Sequence, residues 1–318
     1  MGKYELGKIY CDDFLNNGLP DKSVQLIIAD PPYFKVKGDF DFIWNSFDDY
    51  LADVEKWAKE CKRILADNGT LFWYGDAKKI AYSQIILDRY FNLVNNLVWN
   101  KGSFMGLEES KGLRSFAPCT ERILMYGNDV YDIRDYMRLE IQRAKGKISL
   151  KDINTALGTA TNGGGVASAC FSLDKAEPAM ITKPMYKKLQ KWCAPYMRRE
   201  YEELCRPFNN VFSLQEVLNF SNEAQRTGRN YDHDTVKPEK LTRALILTCS
   251  RPGDIVFVPF SGSGTECAMA IREGRRYIGF DVCQKYVDTG NARCKNEAVQ
   301  PSLFEPAELT KETQGDLF

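Results

Sequence analysis

Apolar positions recur along this chain with two different periods, and the change of period marks its elements. Val24 to Ala29 is a short apolar run closed by Pro31-Pro32, the pattern of a buried parallel strand. Ser46 with Asp49 three residues later forms a capping-box signal. Leu51, Val54, Ala58, Cys61 and Leu65 then repeat at helical spacing, and Asn68-Gly69 is the expected stop. Strands are predicted at Thr70–Tyr74, Leu93–Trp99 and Arg122–Tyr126, with a helix near Ala77–Arg89. The rhythm breaks over 128–232, which is polar and helix-rich. It resumes with a helix opened by Pro238, a strand at Asp254–Val258, a helix at Thr265–Arg272 ended by Gly274, a strand at Tyr277–Phe280 and a helix over Gln284–Asn296. Strands alternating with helices predict an α/β fold with a mainly parallel sheet, interrupted by an insertion.

Composition narrows the class. The 318 residues are 44% hydrophobic and 27% charged, with 43 basic against 43 acidic side chains, as expected of a soluble globular protein. Local charge is less even: 131–232 holds 16 Lys and Arg against 12 Asp and Glu, a net +4. The ten cysteines form no Cys-x-x-Cys pair, and His233 is the one histidine, so no metal site is expected. No signal peptide or membrane-length apolar run is visible, and a cytoplasmic location is expected.

Two motifs carry candidate chemistry. Asp30-Pro31-Pro32-Tyr33 follows the first strand at its C-terminal end, where open α/β sheets place their ligands. A site that activates the amine of a nucleic-acid base must hydrogen-bond both amine protons, because the nitrogen lone pair is delocalised into the ring. Asp30 and the Pro31 carbonyl suit that task, Pro32 stiffens the turn, and Tyr33 offers a ring for stacking on a flipped base. A plain turn at a strand end is the alternative. The second motif is Pro259-Phe260-Ser261-Gly262-Ser263-Gly264-Thr265, between a strand and a helix. Glycines there let a ligand approach the backbone. Cys267 stands where a dinucleotide fingerprint has its third glycine, and no Gly-Lys-Ser/Thr follows. Asp281 ends the next strand, where an acid can hold ribose hydroxyls. The pattern fits a nucleoside ligand without an essential phosphate, such as S-adenosylmethionine.

Together these motifs resemble the amino-methyltransferases of DNA, in the motif order that puts the catalytic tetrapeptide before the cofactor loop. Leu19-Pro20-Asp21 with Ser23 to Tyr33 resembles the family's lead into its catalytic strand. His233-x-Thr235-x-Lys237-Pro238 resembles the element that contributes to cofactor binding, and Gly274 to Gly279 the lead to the ribose-binding acid. Asp13 sits where the family has an acid near the cofactor adenine. The family normally has Asp-Pro-Phe before its glycines; this chain has Val258-Pro259-Phe260.

The resemblance implies a Rossmann-like methyltransferase with a permuted motif order, using S-adenosyl-L-methionine on double-stranded DNA. It assigns 1–127 to a catalytic half, 128–232 to a target-recognition insertion, 233–297 to a cofactor half and 298–318 to a flexible tail. Adenine-N6 is the expected target, since cytosine-N4 members of the family usually carry Ser-Pro-Pro-Tyr. Cytosine-N4 transfer is one alternative, and a catalytically weak DNA- or clamp-binding protein on the same scaffold is another. A restriction partner is compatible with either enzyme reading.

The spacing of helices at Ser149–Leu157, Val166–Phe171 and Lys183–Trp192 resembles a helix-turn-helix. Candidate DNA phosphate contacts are Lys145, Lys147, Lys187, Lys188, Arg198, Arg199, Arg226 and Arg229, with solvated surface charge as the plainer reading. The polar tail repeats one pattern, at Gln300 with Leu303-Phe304 and at Gln314 with Leu317-Phe318. It looks like the short peptide that docks on the bacterial sliding clamp. The protein is expected to be a monomer or a homodimer.

Overall fold

The structure is a computed structural model that describes residues 4–36, 41–102, 112, 114–128, 133–161, 165–171, 180–221 and 236–299. It divides into two compact units, one of Met1–Asn128 with Pro207–Phe318 and one of Asp129–Arg206. In chain order the elements are β1 (Lys8–Cys11), β2 (Val24–Ala29), α1 (Phe47–Ile64), β3 (Leu65–Gly75), α2 (Ile80–Leu87), β4 (Asn92–Asn100) and β5 (Thr120–Gly127). Then come α3 (Ile133–Lys145), α4 (Leu150–Leu157), α5 (Val166–Phe171), α6 (Lys183–Trp192), α7 (Tyr201–Leu204) and β6 (Val217–Asn219). The chain continues with α8 (Glu239–Cys249), β7 (Ile255–Val258), α9 (Thr265–Arg272), β8 (Arg276–Asp281) and α10 (Gln284–Val299).

The first unit is built on an eight-stranded sheet of order β1-β8-β7-β2-β3-β5-β4-β6. Only β5 runs against the rest: it is antiparallel to both β3 and β4, and the other pairings are parallel. Successive side chains on a strand face opposite sides. Leu26 and Ile28 of β2 therefore join one core with α8, α9 and α10, while Ile27 and Ala29 join another with α1 and α2. The result is the three-layer α/β architecture that the alternating pattern predicts.

Helix α1 begins as expected. The Ser46 hydroxyl accepts the Asp49 amide at 3.1 Å and the Asp49 carboxylate accepts the Ser46 amide at 3.1 Å. It ends earlier than Asn68-Gly69, at Ile64, because buried Leu65 is already extended and pairs with Val24. The pairing then slips to Leu26 with Thr70, so Asn68-Gly69 lies in an irregularity of β3. There the Asn128 side-chain amide donates to the Leu65 and Ala66 carbonyls at 2.9 and 3.0 Å.

Strands β1 and β6 were not foreseen. Each is four residues or fewer with one buried side chain, too short for a periodicity to register. Strand β1 nonetheless matters to the site, because its pairing of Cys11 with Asp281 brings Asp12 and Asp13 to the end of β8. Strand β6 belongs to the main sheet, although it falls within the 128–232 break in rhythm.

The second unit has its own apolar core, including Met137, Leu157, Phe171, Tyr186 and Leu189, drawn from α3 to α6. Helix α4 carries a Ser149–Asp152 capping box and ends at Gly158, whose φ of 71° is a left-handed cap. Among the described residues, no helix is long and apolar enough to cross a membrane.

Candidate active site

The C-terminal ends of β2, β7 and β8 open into one cavity of about 630 Å³, within the range of small-molecule sites. Asp30, Pro31, Pro32 and Tyr33 line one part of it; Asp13, Pro259, Phe260, Gly262 and Asp281 line another. The adjacency of β2 and β7, in register at Leu26 with Val256, is what unites the two motifs.

Around Asp30 the side chains form a connected polar cluster. The Tyr33 hydroxyl donates to Asp30 Oδ1 at 2.7 Å, and the Tyr33 amide donates to the Asp41 carboxylate. Lys237 Nζ lies 2.8 Å from Asp30 Oδ2 and 3.3 Å from Glu121 Oε2. Glu121 Oε1 receives Lys101 Nζ at 2.8 Å. Lys237 is only 7% exposed, and its ammonium lies 5.0, 5.7 and 5.8 Å from the ring centroids of Tyr74, Tyr33 and Trp99.

Electrostatics follows this geometry. Burial pulls the Lys237 pKa down, but the carboxylates of Asp30 and Glu121 outweigh it and hold the ammonium above its ordinary value. Burial raises the Glu121 pKa, and the charges of Lys237 and Lys101 more than reverse that, leaving it below the ordinary carboxyl range. Tyr33 is pushed well up by burial and then by the Asp30 charge, so its hydroxyl remains a donor. Behind the cluster, on α9, Glu266 is buried and its Oε1 has no hydrogen-bond partner. Burial and the Asp30 charge raise its pKa to about 7.

The glycine loop is held by Asp281. Its Oδ2 accepts the Gly262 amide at 2.8 Å and its Oδ1 accepts the Cys283 amide at 2.9 Å. Gly264 takes a φ of 73° at the start of α9, and a Cβ there would sit 2.7 Å from the Gly290 Cα. Glycine is required on both counts. Asp13 caps a 3-10 turn by accepting the Leu15 amide at 2.9 Å, which presents Phe14 edge-on to Phe260 at 5.2 Å.

The structure does not bring every expected residue to the cavity. Thr265 is buried and its hydroxyl accepts Arg293 Nη1 at 2.7 Å. Gly264 shapes the loop, and Pro238 precedes α8, without lining the cavity. Lys237 reaches the cavity beside Asp30. Val258 is 1% exposed and packs in the apolar core beneath α8 to α10. His233 and Thr235 lie outside the described residues, as do Arg226, Arg229 and the tail residues Gln300, Leu303, Phe304, Gln314, Leu317 and Phe318.

Among the described basic candidates of the helical unit, several already have protein partners. Lys188 donates to the Leu157 carbonyl at 2.8 Å, satisfying the end of α4. Lys187 pairs with Glu200, and Arg199 reaches Glu203 at 3.6 Å. Arg198 donates to the Pro195 carbonyl at 2.8 Å, Lys145 lies 5.3 Å from the Trp192 ring centroid, and Lys147 is exposed.

Glu121, Lys101, Asp12 and Glu266 were missed by sequence reasoning. Each is one charged residue at the end of a strand or the start of a helix, and only the tertiary fold joins them. A signal was present for Glu121, a charge two residues before the buried run Ile123–Tyr126, on the same strand.

A three-layer sheet with these two loops at adjacent strand ends is a Rossmann-like methyltransferase architecture. A family model described as DNA methylase, the N6/N4 methyltransferases, matches residues 24–292, and the chain belongs to this family. The DNA adenine methyltransferase YhdJ of Escherichia coli K12 is 28% identical over 304 residues, covering 94% of this chain and 85% of that protein. The type II methyltransferase M.HinfI of Haemophilus influenzae is 26% identical over 306 residues, covering 90% of this chain and 67% of that protein. Among solved structures, the cytosine-N4-specific PvuII DNA methyltransferase aligns with a TM-score of 0.56 at 14% identity, over 98% of this chain and 94% of that one. The complex of M1.HpyAVI with S-adenosylmethionine aligns with a TM-score of 0.50 at 17% identity, over 90% and 98%. At these identities the structural likeness is one of fold. The family uses S-adenosylmethionine.

Proposed function

We propose that this chain is an adenine-N6 DNA methyltransferase. The carrying observation is that Asp30, in Asp-Pro-Pro-Tyr, shares one cavity with the Asp281-held glycine loop. The donor set of that loop suits S-adenosylmethionine: Asp13 and Asp281 offer acceptors for amine and hydroxyl groups, and Phe14 and Phe260 offer apolar walls. When bound, the cofactor supplies an electrophilic methyl group on a positively charged sulfur. The chain's own residues bind and orient the acceptor. The Asp30 carboxylate and the Pro31 carbonyl accept the two hydrogens of the adenine amine, favouring a tetrahedral nitrogen. Tyr33 packs against the flipped base, and positioning supplies much of the rate. The Asp-Pro-Pro-Tyr form of the motif and the similarity to the DNA adenine methyltransferase YhdJ favour adenine over cytosine.

The helical unit is proposed to contact the DNA backbone, with exposed Lys147, three residues before α4, as a basic candidate. The two Leu-Phe pairs of the tail are proposed to dock on a sliding clamp; changing both to Ala should abolish clamp binding, and unaltered affinity refutes that docking.

Mass analysis of digested product DNA should show N6-methyladenine. N4-methylcytosine in its place overturns the adenine assignment. Asp30→Ala should abolish transfer while S-adenosylmethionine still binds, and retained methylation in that variant refutes the mechanism. Sequencing the methylated DNA identifies the target site.

A further inference from the structure

Both oxygens of Asp30 are engaged, one by the Tyr33 hydroxyl at 2.7 Å and the other by the Lys237 ammonium at 2.8 Å. A carboxylate neutralised this way is a poor stabiliser of positive charge developing on a neighbouring nitrogen, because the ammonium at the same oxygen opposes it. Yet that ammonium has a second carboxylate in reach, Glu121 Oε2 at 3.3 Å. Glu121 is anchored on the other side by Lys101 at 2.8 Å, and by the pairing of Trp99 with Glu121 in the sheet. Three aromatic rings flank the ammonium, so a move of it between the two acids stays shielded from solvent.

We propose that Lys237 is a displaceable counter-ion, paired with Asp30 before the target base arrives and passed to Glu121 when the base amine reaches Asp30. Glu121 is then a positioning residue whose charge frees the Asp30 carboxylate for the amine. The inference rests on the adenine reading above and deepens it. The hand-over leaves the net charge of the four side chains unchanged, so it moves a charge by a short distance without burying a new one. It also gives the site a requirement: a base without an exocyclic amine offers Asp30 nothing in exchange for Lys237, and the lysine stays where it is.

The test uses the full-length protein, with S-adenosylhomocysteine present, and duplexes of the site identified by sequencing the methylated DNA. The target position carries either adenine or purine, which lacks the amine. The wild type should bind the adenine duplex more tightly than the purine duplex. Glu121→Gln keeps the shape but removes the charge that receives Lys237; the adenine preference should fall by about tenfold and kcat should drop with it. Affinity for the purine duplex should stay at the wild-type value. Glu121→Asp should restore part of the preference. An unchanged adenine preference in Glu121→Gln overturns the proposal. So does an equal loss for both duplexes, which would make Glu121 a merely structural residue. A wild type that transfers no methyl group to DNA defeats the adenine reading itself and takes this inference with it.

Discussion

Asp281 accepts the backbone amide of Gly262 at 2.8 Å, tying the end of one strand to the loop that follows its neighbour. The carboxylate thus shapes the glycine loop as well as facing the cavity. Asp281→Ala should weaken S-adenosylmethionine binding by about tenfold or more, since a hydrogen bond to a charged group contributes about 1.5–3 kcal/mol. Calorimetric titration measures this directly, and wild-type affinity in the variant would show that the loop holds its shape without Asp281.

Glu266 makes stability depend on pH. Its folded-state pKa is raised from 4.5 to about 7. Below about pH 4.5 the carboxyl is protonated in both the folded and the unfolded chain. Between there and pH 7 the unfolded chain ionises first, so this group lowers stability as pH rises, by about 3 kcal/mol in all. Glu266→Gln removes the titration. Its stability advantage over the wild type, measured by chemical denaturation, should grow from pH 5 to pH 8. A gap that stays constant across that range would be incompatible with a buried, late-ionising carboxyl.

Gly264 and Gly253 separate two costs. Gly264→Ala combines a left-handed backbone, φ 73°, with a Cβ 2.7 Å from the Gly290 Cα, and should destabilise the fold by about 3 kcal/mol. Gly253 has a φ of 84° but open space around the added atom, so Gly253→Ala should cost about 1–2 kcal/mol. Equal urea midpoints for the two variants would remove the crowding argument.

Lys147 and Lys188 should behave differently when changed to Ala. Lys147 is exposed, and its loss should weaken DNA binding and reduce the salt slope by about 0.9. Lys188 holds the Leu157 carbonyl, so its loss should lower stability while leaving the salt slope unchanged. Binding isotherms at several salt concentrations decide between them; identical slopes for both variants and the wild type would exclude Lys147 from the DNA contact.

The long elements were legible from periodicity alone, because helices such as α1 and strands such as β2 bury one face or both. The central pair of motifs was also legible: Asp30 to Tyr33 and Pro259 to Thr265 each sit at a turn whose residue types are locally demanded. The partnership of Lys237 was not. A resemblance placed it with the cofactor element; the fold adds that its ammonium lies between Asp30 and Glu121. Nothing local in Val236-Lys237-Pro238 reports which acids the fold will bring to it. The same holds for Thr265, which looks like a loop residue and is turned inward to Arg293. Loop motifs advertise their backbone geometry; charge clusters assembled from four distant segments do not.

The pairing of β2 with β7 has a consequence for how the protein is made. Gln25 and Ile255, 230 residues apart, meet through the Ile255 amide and the Gln25 side chain at 2.9 Å. Until β7 has left the ribosome, β2 has a partner on one side alone, with apolar side chains on both faces and an open row of backbone donors and acceptors. Such an edge is a template for pairing with other chains. A product truncated between Asn219 and Ile255 should therefore be prone to aggregation.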